Sequence, residues 1–182
     1  MNYTGIGSRD TTLEENIIMT SLGKELATKG WTLRSGGAGG SDLAFENGCA
    51  AAKGKAEIFI PWKPFGSKIE NVNSKRYVPN ESSYDKAREY LIENNIIPWF
   101  DRMKQGARKL HARNYYQVLG TDNIKSDIMI YCADDDKNGV PKGGTRTAIL
   151  LARSFNIPTY NIRVKDQLKA LDTLIKGLIN DN

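Results

Sequence analysis

Three short segments rich in glycine and hydroxyl residues have the composition of phosphate-binding turns: 5–9, 35–41 and 142–145. Glycine allows the backbone to approach a ligand closely, so that peptide N–H groups can converge on an anion. The hydroxyls of Ser8, Ser35 and Thr145 can donate hydrogen bonds, and the guanidinium of Arg9 can donate two to one phosphate. One such turn is weak evidence, because glycine also serves chain geometry, but three together predict a phosphate site.

Each of the three segments lies between a predicted strand and a predicted helix, whose positive N-terminal end favours an anion. Apolar runs predict strands at 2–6, 31–35, 56–61, 126–133 and 158–162. Apolar residues at helical spacing, together with helix boundary signals, predict helices at 11–29, 41–53, 82–95, 102–119, 143–155 and 164–179. Small residues in the second helix, at Ala44, Gly48 and Ala51, predict close packing against the sheet.

This alternation predicts one α/β domain over residues 1–182, with a Rossmann-like, doubly wound and mainly parallel sheet of about five or more strands. Helices are expected on both faces. Within the domain, residues 62–80 are predicted to form a long basic loop and residues 81–120 a helical insertion. Right-handed crossovers place the glycine turns at one edge of the sheet, where ligands bind in such folds.

The composition is that of an ordinary globular protein. The chain has 182 residues, 40% hydrophobic and 26% charged, with a net charge of +5, which excludes disorder over most of its length. No apolar run is long enough to span a membrane, and the N-terminus shows no secretion signal. With two distant cysteines, expected to be buried, the composition predicts a protein of the reducing cytosol.

The positive charge is concentrated in two stretches, 62–80 and 99–116, with four and five basic residues against one acidic residue each. Such stretches attract phosphates of nucleotides or nucleic acid, although a solvated surface is an equally good interpretation.

Several other chemistries lack their signatures. No glycine cluster continues into the Gly-Lys-Ser/Thr of a nucleotide-triphosphate loop, and Asp10 stands where a dinucleotide-binding turn needs its third glycine. His111, the single histidine, is predicted to be a surface residue. The acidic run 134–136 is interpreted as a solvated turn in preference to a cation site. We therefore predict neither a metal site nor a cofactor.

Asp42 and Glu46 lie four residues apart, on one face of the helix that follows the second glycine turn. Their carboxylates could accept hydrogen bonds from ribose hydroxyls or take part in catalysis. The helix N-terminus is expected to keep Asp42 ionised.

The series Gly7-Ser8-Arg9, then residues 33–42, then Gly143-Gly144-Thr145, resembles the SLOG superfamily and, within it, the small DprA-like proteins of bacteriophages. The segments 45–62 and 112–120 are similar to the same phage-type subgroup, and the resemblance spans residues 3 to 162. It implies a nucleotide-binding fold in which the glycine turns hold the ligand. Together with the motif analysis, it predicts these ligand-binding residues: Gly7, Ser8, Arg9, Ser35, Gly36, Gly37, Ala38, Gly39, Asp42, Glu46, Arg113, Asn114, Gly143, Gly144 and Thr145.

The resemblance implies three possible functions. The first is binding of an ADP-ribose-type or cyclic nucleotide signal, which would amount to sequestering a host defence signal in the bacterial cytosol if the protein is phage-encoded. The second is hydrolysis of an N-glycosidic bond, although Ala148 stands where the phosphoribohydrolases of the superfamily have a glutamate. The third is DprA-like binding of single-stranded DNA, with Trp62, Phe65, Tyr77 and Tyr115 stacking on bases. We favour the first, with weak nucleic-acid binding and a homo-oligomer as further expectations.

Overall fold

The computed structural model describes residues 1–66, 69 and 71–177. Its strands are β1 (Asn2–Gly7), β2 (Thr32–Ser35), β3 (Ala56–Phe59), β4 (Ser74–Tyr77), β5 (Ile128–Cys132) and β6 (Thr159–Asn161). Its α-helices are α1 (Leu13–Thr28), α2 (Ser41–Ala51), α3 (Glu81–Glu93), α4 (Gln105–Leu119), α5 (Thr145–Ser154) and α6 (Lys165–Gly177), and a short 3-10 helix (Phe100–Arg102) precedes α4. None of the helices in the described ranges is long and apolar enough to cross a membrane.

The six strands form one sheet in the order β4-β3-β2-β1-β5-β6, and every neighbouring pair is parallel. The chain therefore builds outward from β1 to β4, returns across the sheet, and continues from β5 to β6. This confirms the predicted Rossmann-like α/β class. The order reverses between β1 and β5, and parallel sheets of this kind bind ligands beyond the strand ends at that point.

Two hydrophobic cores lie on opposite faces of the sheet, as the alternation of side chains along β5 shows. Met129 and Tyr131 belong to the core formed with α3, α4 and α5. Ile128, Ile130 and Cys132 belong to the core formed with α1, α2 and α6. All five β5 residues are buried, as predicted for a central parallel strand. Both cysteines are free and buried, which confirms that prediction.

The prediction that residues 62–80 form one long loop is wrong, because β4 lies within it and adds a parallel edge strand to the sheet. The strand sequence, Ser-Lys-Arg-Tyr, lacks the apolar run that identified the other strands, and its residues are exposed or only partly buried. An edge strand has a neighbouring strand on only one of its two hydrogen-bonding edges. Its other edge can face solvent, so a polar sequence is compatible with this position. The predicted last residues of the final helix, 178 and 179, lie outside the described residues.

The connection from β4 back to β5 contains α3 and α4, the segment predicted as a helical insertion. Here α4 packs against β3, β2 and α5, so it covers one face of the sheet and ends beside its central strands. On the other face, α2 packs closely on α1. A Cβ atom at Gly48 would lie 2.1 Å from the carbonyl oxygen of Thr20, so this glycine allows contact with a helix, whereas contact with the sheet was expected.

The start of α1 is fixed by its side chains. Thr12 accepts a hydrogen bond from the N–H of Glu15, whose carboxylate accepts one from the N–H of Thr12. The helix therefore begins a few residues after β1, and the intervening turn, residues 8–12, stays at the carboxyl edge of the sheet.

Candidate functional site

A cleft of about 480 Å³ lies at the point where the strand order reverses, between the ends of β1 and β5 and the side of α4. Its volume is within the range of pockets that hold small molecules. The lining consists of Ile6, Gly7, Ser8, Arg9, Ala38, Asp42, Ala107, Leu110, His111, Arg113, Asn114, Gln117, Ala133, Asp134, Lys142, Gly143, Gly144, Thr145 and Arg163. We call it the central cleft.

One wall of the central cleft is the turn that opens α5. The helix has no side-chain hydrogen bond at its N-cap, Gly144, and no acidic residue in its first turn. Its positive end is therefore not neutralised by its own sequence. The Asn114 side chain of α4 donates a hydrogen bond to the Gly144 carbonyl over 2.9 Å, which ties this turn to the opposite wall.

Two of the cations that line the cleft are not neutralised. The side chains of Arg9 and Lys142 are exposed and form no ion pair with any residue in the described ranges. Arg163, in contrast, is paired with Glu15 over 2.7 Å and with Asp134 over 2.8 Å. The mouth of the cleft thus combines two available cations with the start of α5, and an anion would be stabilised there.

The second glycine turn already holds two carboxylates of the chain itself. Asp42 accepts hydrogen bonds from the N–H groups of Gly36, over 3.1 Å, and Ala38, over 3.4 Å. Glu46 accepts one from the N–H of Gly37, over 2.9 Å. These N–H groups were predicted to face a ligand phosphate, and this arrangement corrects that expectation, because a phosphate there would have to displace a buried carboxylate.

The same turn is also covered from outside. A Cβ atom at Gly66 would lie 1.5 Å from the Gly37 carbonyl oxygen, so the segment that follows β3 passes directly over the turn. In that segment the Phe65 ring lies 5.7 Å from the guanidinium carbon of Arg113. The turn is therefore covered by the chain's own residues.

Asp42 also belongs to a buried polar cluster on the floor of the cleft. Its Oδ2 lies 3.5 Å from Nη1 of Arg113, and both side chains are more than nine-tenths buried. With its amide oriented to satisfy its neighbours, Gln117 accepts a hydrogen bond from Arg113 Nη1 over 3.1 Å and donates one to Asn114 Oδ1 over 2.8 Å. The cluster thereby links the floor to Asn114 and so to the start of α5.

Burial dominates the ionisation of both acids. It raises the pKa of Asp42, although the Arg113 charge and the backbone N–H groups oppose the shift. It also raises the pKa of Glu46 to about 7, with the nearby charge of Asp42 adding to the effect. The helix N-terminus was expected to keep Asp42 ionised, and burial acts against that effect by raising the pKa of Asp42.

His111 was predicted to be a surface residue, but it is half-buried in the wall of the central cleft. Its Nδ1 lies 2.8 Å from the hydroxyl of Thr147 in α5. Burial lowers its pKa, and the charge of Arg113 lowers it further, so the neutral form is favoured at pH 7. Its position three residues before Asn114 on α4 was the signal that could have identified it, since such residues share a helix face.

The structure brings most of the predicted site residues to one cleft, with contributions from all three glycine turns. Those that line it are Gly7, Ser8, Arg9, Ala38, Asp42, Arg113, Asn114, Gly143, Gly144 and Thr145. Those that do not are Ser35, Gly36, Gly37, Gly39 and Glu46. No group of three His, Cys, Asp or Glu side chains suited to a metal occurs within the described ranges. In the acidic run, Asp134 pairs with Arg163, and Asp136 accepts hydrogen bonds from the N–H groups of Asn138 and Val140.

Comparison with solved structures finds similar folds at low sequence identity. DNA processing protein A from Helicobacter pylori, described for its single-stranded DNA binding mode, matches with a TM-score of 0.54 and 20% identity, over 98% of this chain and 73% of its own. The molybdenum cofactor carrier protein from Chlamydomonas reinhardtii matches with a TM-score of 0.53 and 19% identity, over 98% of this chain and 88% of its own. No protein-family model matches the sequence, and no curated protein matches it. At such identities, the likeness concerns the fold.

Proposed function

We propose, on the premise that this chain has the SLOG-type Rossmann-like fold of the DprA-like proteins, that it binds a phosphate-bearing, nucleotide-derived molecule in the central cleft. The observation that carries the proposal is the pair of unneutralised cations, Arg9 and Lys142, beside the start of α5. The phosphate is held there, and the hydroxyl of Thr145 supplies a further hydrogen-bond donor. The second glycine turn serves a different role, which is to hold Asp42 in place.

The deeper part of the cleft suits the sugar and the base. Asp42 can accept a hydrogen bond from a ribose hydroxyl, and the His111 ring in the cleft wall can form a hydrogen bond with a base. These groups favour an ADP-ribose-type or cyclic nucleotide ligand, and binding without turnover would sequester such a signal. A homo-oligomer remains part of the proposal, as an inference from the superfamily.

Hydrolysis of the ligand is the weaker alternative. Ala148 is fully buried in the core formed by α4 and α5, so a carboxylate is missing from the position the superfamily's hydrolases use. Asp42 and Asp134 are the carboxylates among the lining residues, but Arg113 and two N–H groups already hold Asp42, and Arg163 pairs with Asp134. Stabilising a cationic sugar needs a carboxylate that is free to approach the anomeric carbon. Recognition of the ligand therefore fits Asp42 better than catalysis.

DprA-like binding of single-stranded DNA is the other alternative. Of the four aromatic residues considered for base stacking, Tyr115 is buried between Tyr90 and Tyr116. The Tyr77 ring is stacked on Phe59. We therefore propose that binding to nucleic acid is weak and strongly dependent on salt.

The experiment that tests the proposal is titration calorimetry with AMP, cyclic AMP and ADP-ribose, after native mass spectrometry has identified any nucleotide that co-purifies. We expect at least one of them to bind, and the double variant Arg9→Gln/Lys142→Gln to raise its Kd at least about tenfold, since each charge-assisted hydrogen bond contributes roughly 1.5–3 kcal/mol. The matched control, Lys165→Gln/Lys169→Gln, removes two exposed charges from α6, which packs on the other core, and should leave the Kd unchanged. An unchanged Kd in the cleft variant, or no binding of any of the three with no nucleotide co-purifying, would contradict the proposal.

A further inference from the structure

A second cleft, of about 690 Å³, lies at the carboxyl ends of β3 and β4 and shares no lining residue with the central cleft. The N-terminal half of α4 separates the two: Ala107 and His111 face the central cleft, whereas Gln105 and Arg108 line the second one. The lining residues that could contact a ligand are Trp62, Lys63, Glu81, Tyr84, Arg108 and Lys109. We call it the lateral cleft.

The lateral cleft has the charge of an anion site. Lys63, Arg108 and Lys109 contribute three cations, and Glu81 is the one acidic residue among the described lining residues. None of these three cations forms an ion pair within the described ranges. A local excess of unpaired positive charge at the ligand-binding edge of a parallel sheet favours a phosphate group.

Arg108 supplies an independent observation that points to a missing partner. Its Nε atom is buried and has no hydrogen-bond partner in the part of the chain that the structure describes. Buried donors of this kind are rare, because leaving one unsatisfied costs about 1–3 kcal/mol. Arg108 lines the lateral cleft, so a rotation of its side chain would let a ligand oxygen there satisfy this donor.

Two aromatic rings in the lining suit a planar group. The Trp62 ring is held by Phe65, with the ring centres 5.3 Å apart and nearly perpendicular. The Tyr84 ring is held by Phe100, with the ring centres 6.0 Å apart. Both Trp62 and Tyr84 are only partly buried, so part of each ring is accessible from the cleft. Rings fixed in this way lose little freedom when a base stacks on them.

We infer that the lateral cleft is a second binding site, specific for a nucleoside phosphate, whose base contacts Trp62 or Tyr84 and whose phosphate is bound by Lys63, Arg108 and Lys109. The site is separate from the central cleft, so the inference does not depend on the function proposed for that cleft. The same chemistry could come from a free mononucleotide or from one nucleotide of a strand. We commit to the free mononucleotide, because the cleft has the volume of a pocket for one small molecule and the described aromatic residues do not form a longer track.

Calorimetry with AMP tests this site in the full chain. In the Arg9→Gln/Lys142→Gln background, in which the central cleft is weakened, we expect one equivalent of AMP still to bind. Adding Arg108→Gln should raise the Kd of that event at least about tenfold, and adding Trp62→Leu should raise it roughly tenfold through the loss of stacking. Adding Lys169→Gln is the control and should change nothing. Thermal melting checks that each variant folds, and Lys109→Gln provides a second charge variant.

Three results would overturn the inference. The first is an AMP isotherm in that background that Arg108→Gln, Lys109→Gln and Trp62→Leu all leave unchanged. The second is the absence of any AMP binding in that background. The third is tight binding of an oligothymidylate of about twelve nucleotides at roughly 150 mM salt, lost in Arg108→Gln, while AMP does not bind. The variants at Arg9 and Lys142 test binding in the central cleft separately. A result that contradicts binding in one cleft can therefore be told apart from a result that contradicts binding in the other.

Discussion

At the scale of single residues, Asp42 and Glu46 take the place that an external anion was expected to fill. Their carboxylates accept hydrogen bonds from the N–H groups of the second glycine turn, and both side chains are almost completely buried. A glycine-rich turn followed by acids in the next helix can therefore satisfy its own donors. Burial raises the pKa of Glu46 to about 7, and the nearby charge of Asp42 adds to the shift.

This raised pKa makes stability depend on pH. Glu46 has a pKa of about 7 in the folded chain, against an ordinary value of 4.5, so its contribution is most favourable below pH 4.5 and is lost as the pH rises to 7. The loss is on the order of 3 kcal/mol. We expect Glu46→Gln, which keeps an acceptor for the Gly37 N–H, to flatten this decline in the free energy of unfolding measured by urea denaturation. Glu89→Gln, on the exposed surface of α3, should retain the wild-type slope. Identical slopes in the wild type and Glu46→Gln would show that Glu46 titrates normally.

His111 offers a second test at this scale, because it is the only histidine and its ring protons give one unambiguous NMR titration. Burial and the Arg113 charge should place its pKa below 6.5 in the free protein. A phosphate bound in the central cleft would favour the protonated ring, so saturating AMP or ADP-ribose should raise that pKa. A midpoint at or above 6.5 without ligand would contradict the position assigned to His111.

At the scale of the elements, α4 organises the central cleft by holding the start of α5 through Asn114. Removing that hydrogen bond in Asn114→Ala should loosen the turn and raise the ligand Kd roughly fivefold, which corresponds to about 1 kcal/mol. Asn94→Ala removes a similar bond, from an exposed side-chain amide to the Tyr90 carbonyl in α3, and should not affect binding. Equal Kd values for Asn114→Ala and the wild type, measured by calorimetry, would show that the Asn114 hydrogen bond does not position the start of α5 for binding.

The elements also show what the sequence allowed one to predict. The apolar runs of β1 and β5 identified strands of the sheet, and the glycine-rich segments that follow the strands identified the edge where the turns meet. The strand β4 was not predicted, because its sequence is polar and lacks an apolar run. It forms a strand through its parallel pairing with β3. The partners of the second glycine turn were not predicted, because its N–H groups donate to the side chains of Asp42 and Glu46, and sequence periodicity does not record such contacts. The burial of His111 was not predicted, because it results from contact with Thr147 of α5.

At the scale of the whole molecule, one edge of a parallel sheet carries two clefts on either side of α4. The net charge of +5 is concentrated where those clefts open, with basic residues from the stretches 62–80 and 99–116 in the lateral cleft and from the turns at 9 and 142 in the central cleft. Such an arrangement attracts small phosphorylated ligands without the continuous basic groove that a nucleic-acid strand requires.

The central claim is that a nucleotide phosphate binds at the start of α5 in the central cleft, and not in the second glycine turn. Amide NMR spectra of the uniformly labelled protein, recorded while ADP-ribose is added, test it most directly, because each backbone N–H reports separately. We expect the largest shifts at Gly144 and Thr145, at the start of α5, and much smaller ones at Gly36 and Gly37, whose N–H groups already donate to Asp42 and Glu46. Shifts that are largest at Gly36 and Gly37, or absent from the start of α5, would contradict the account.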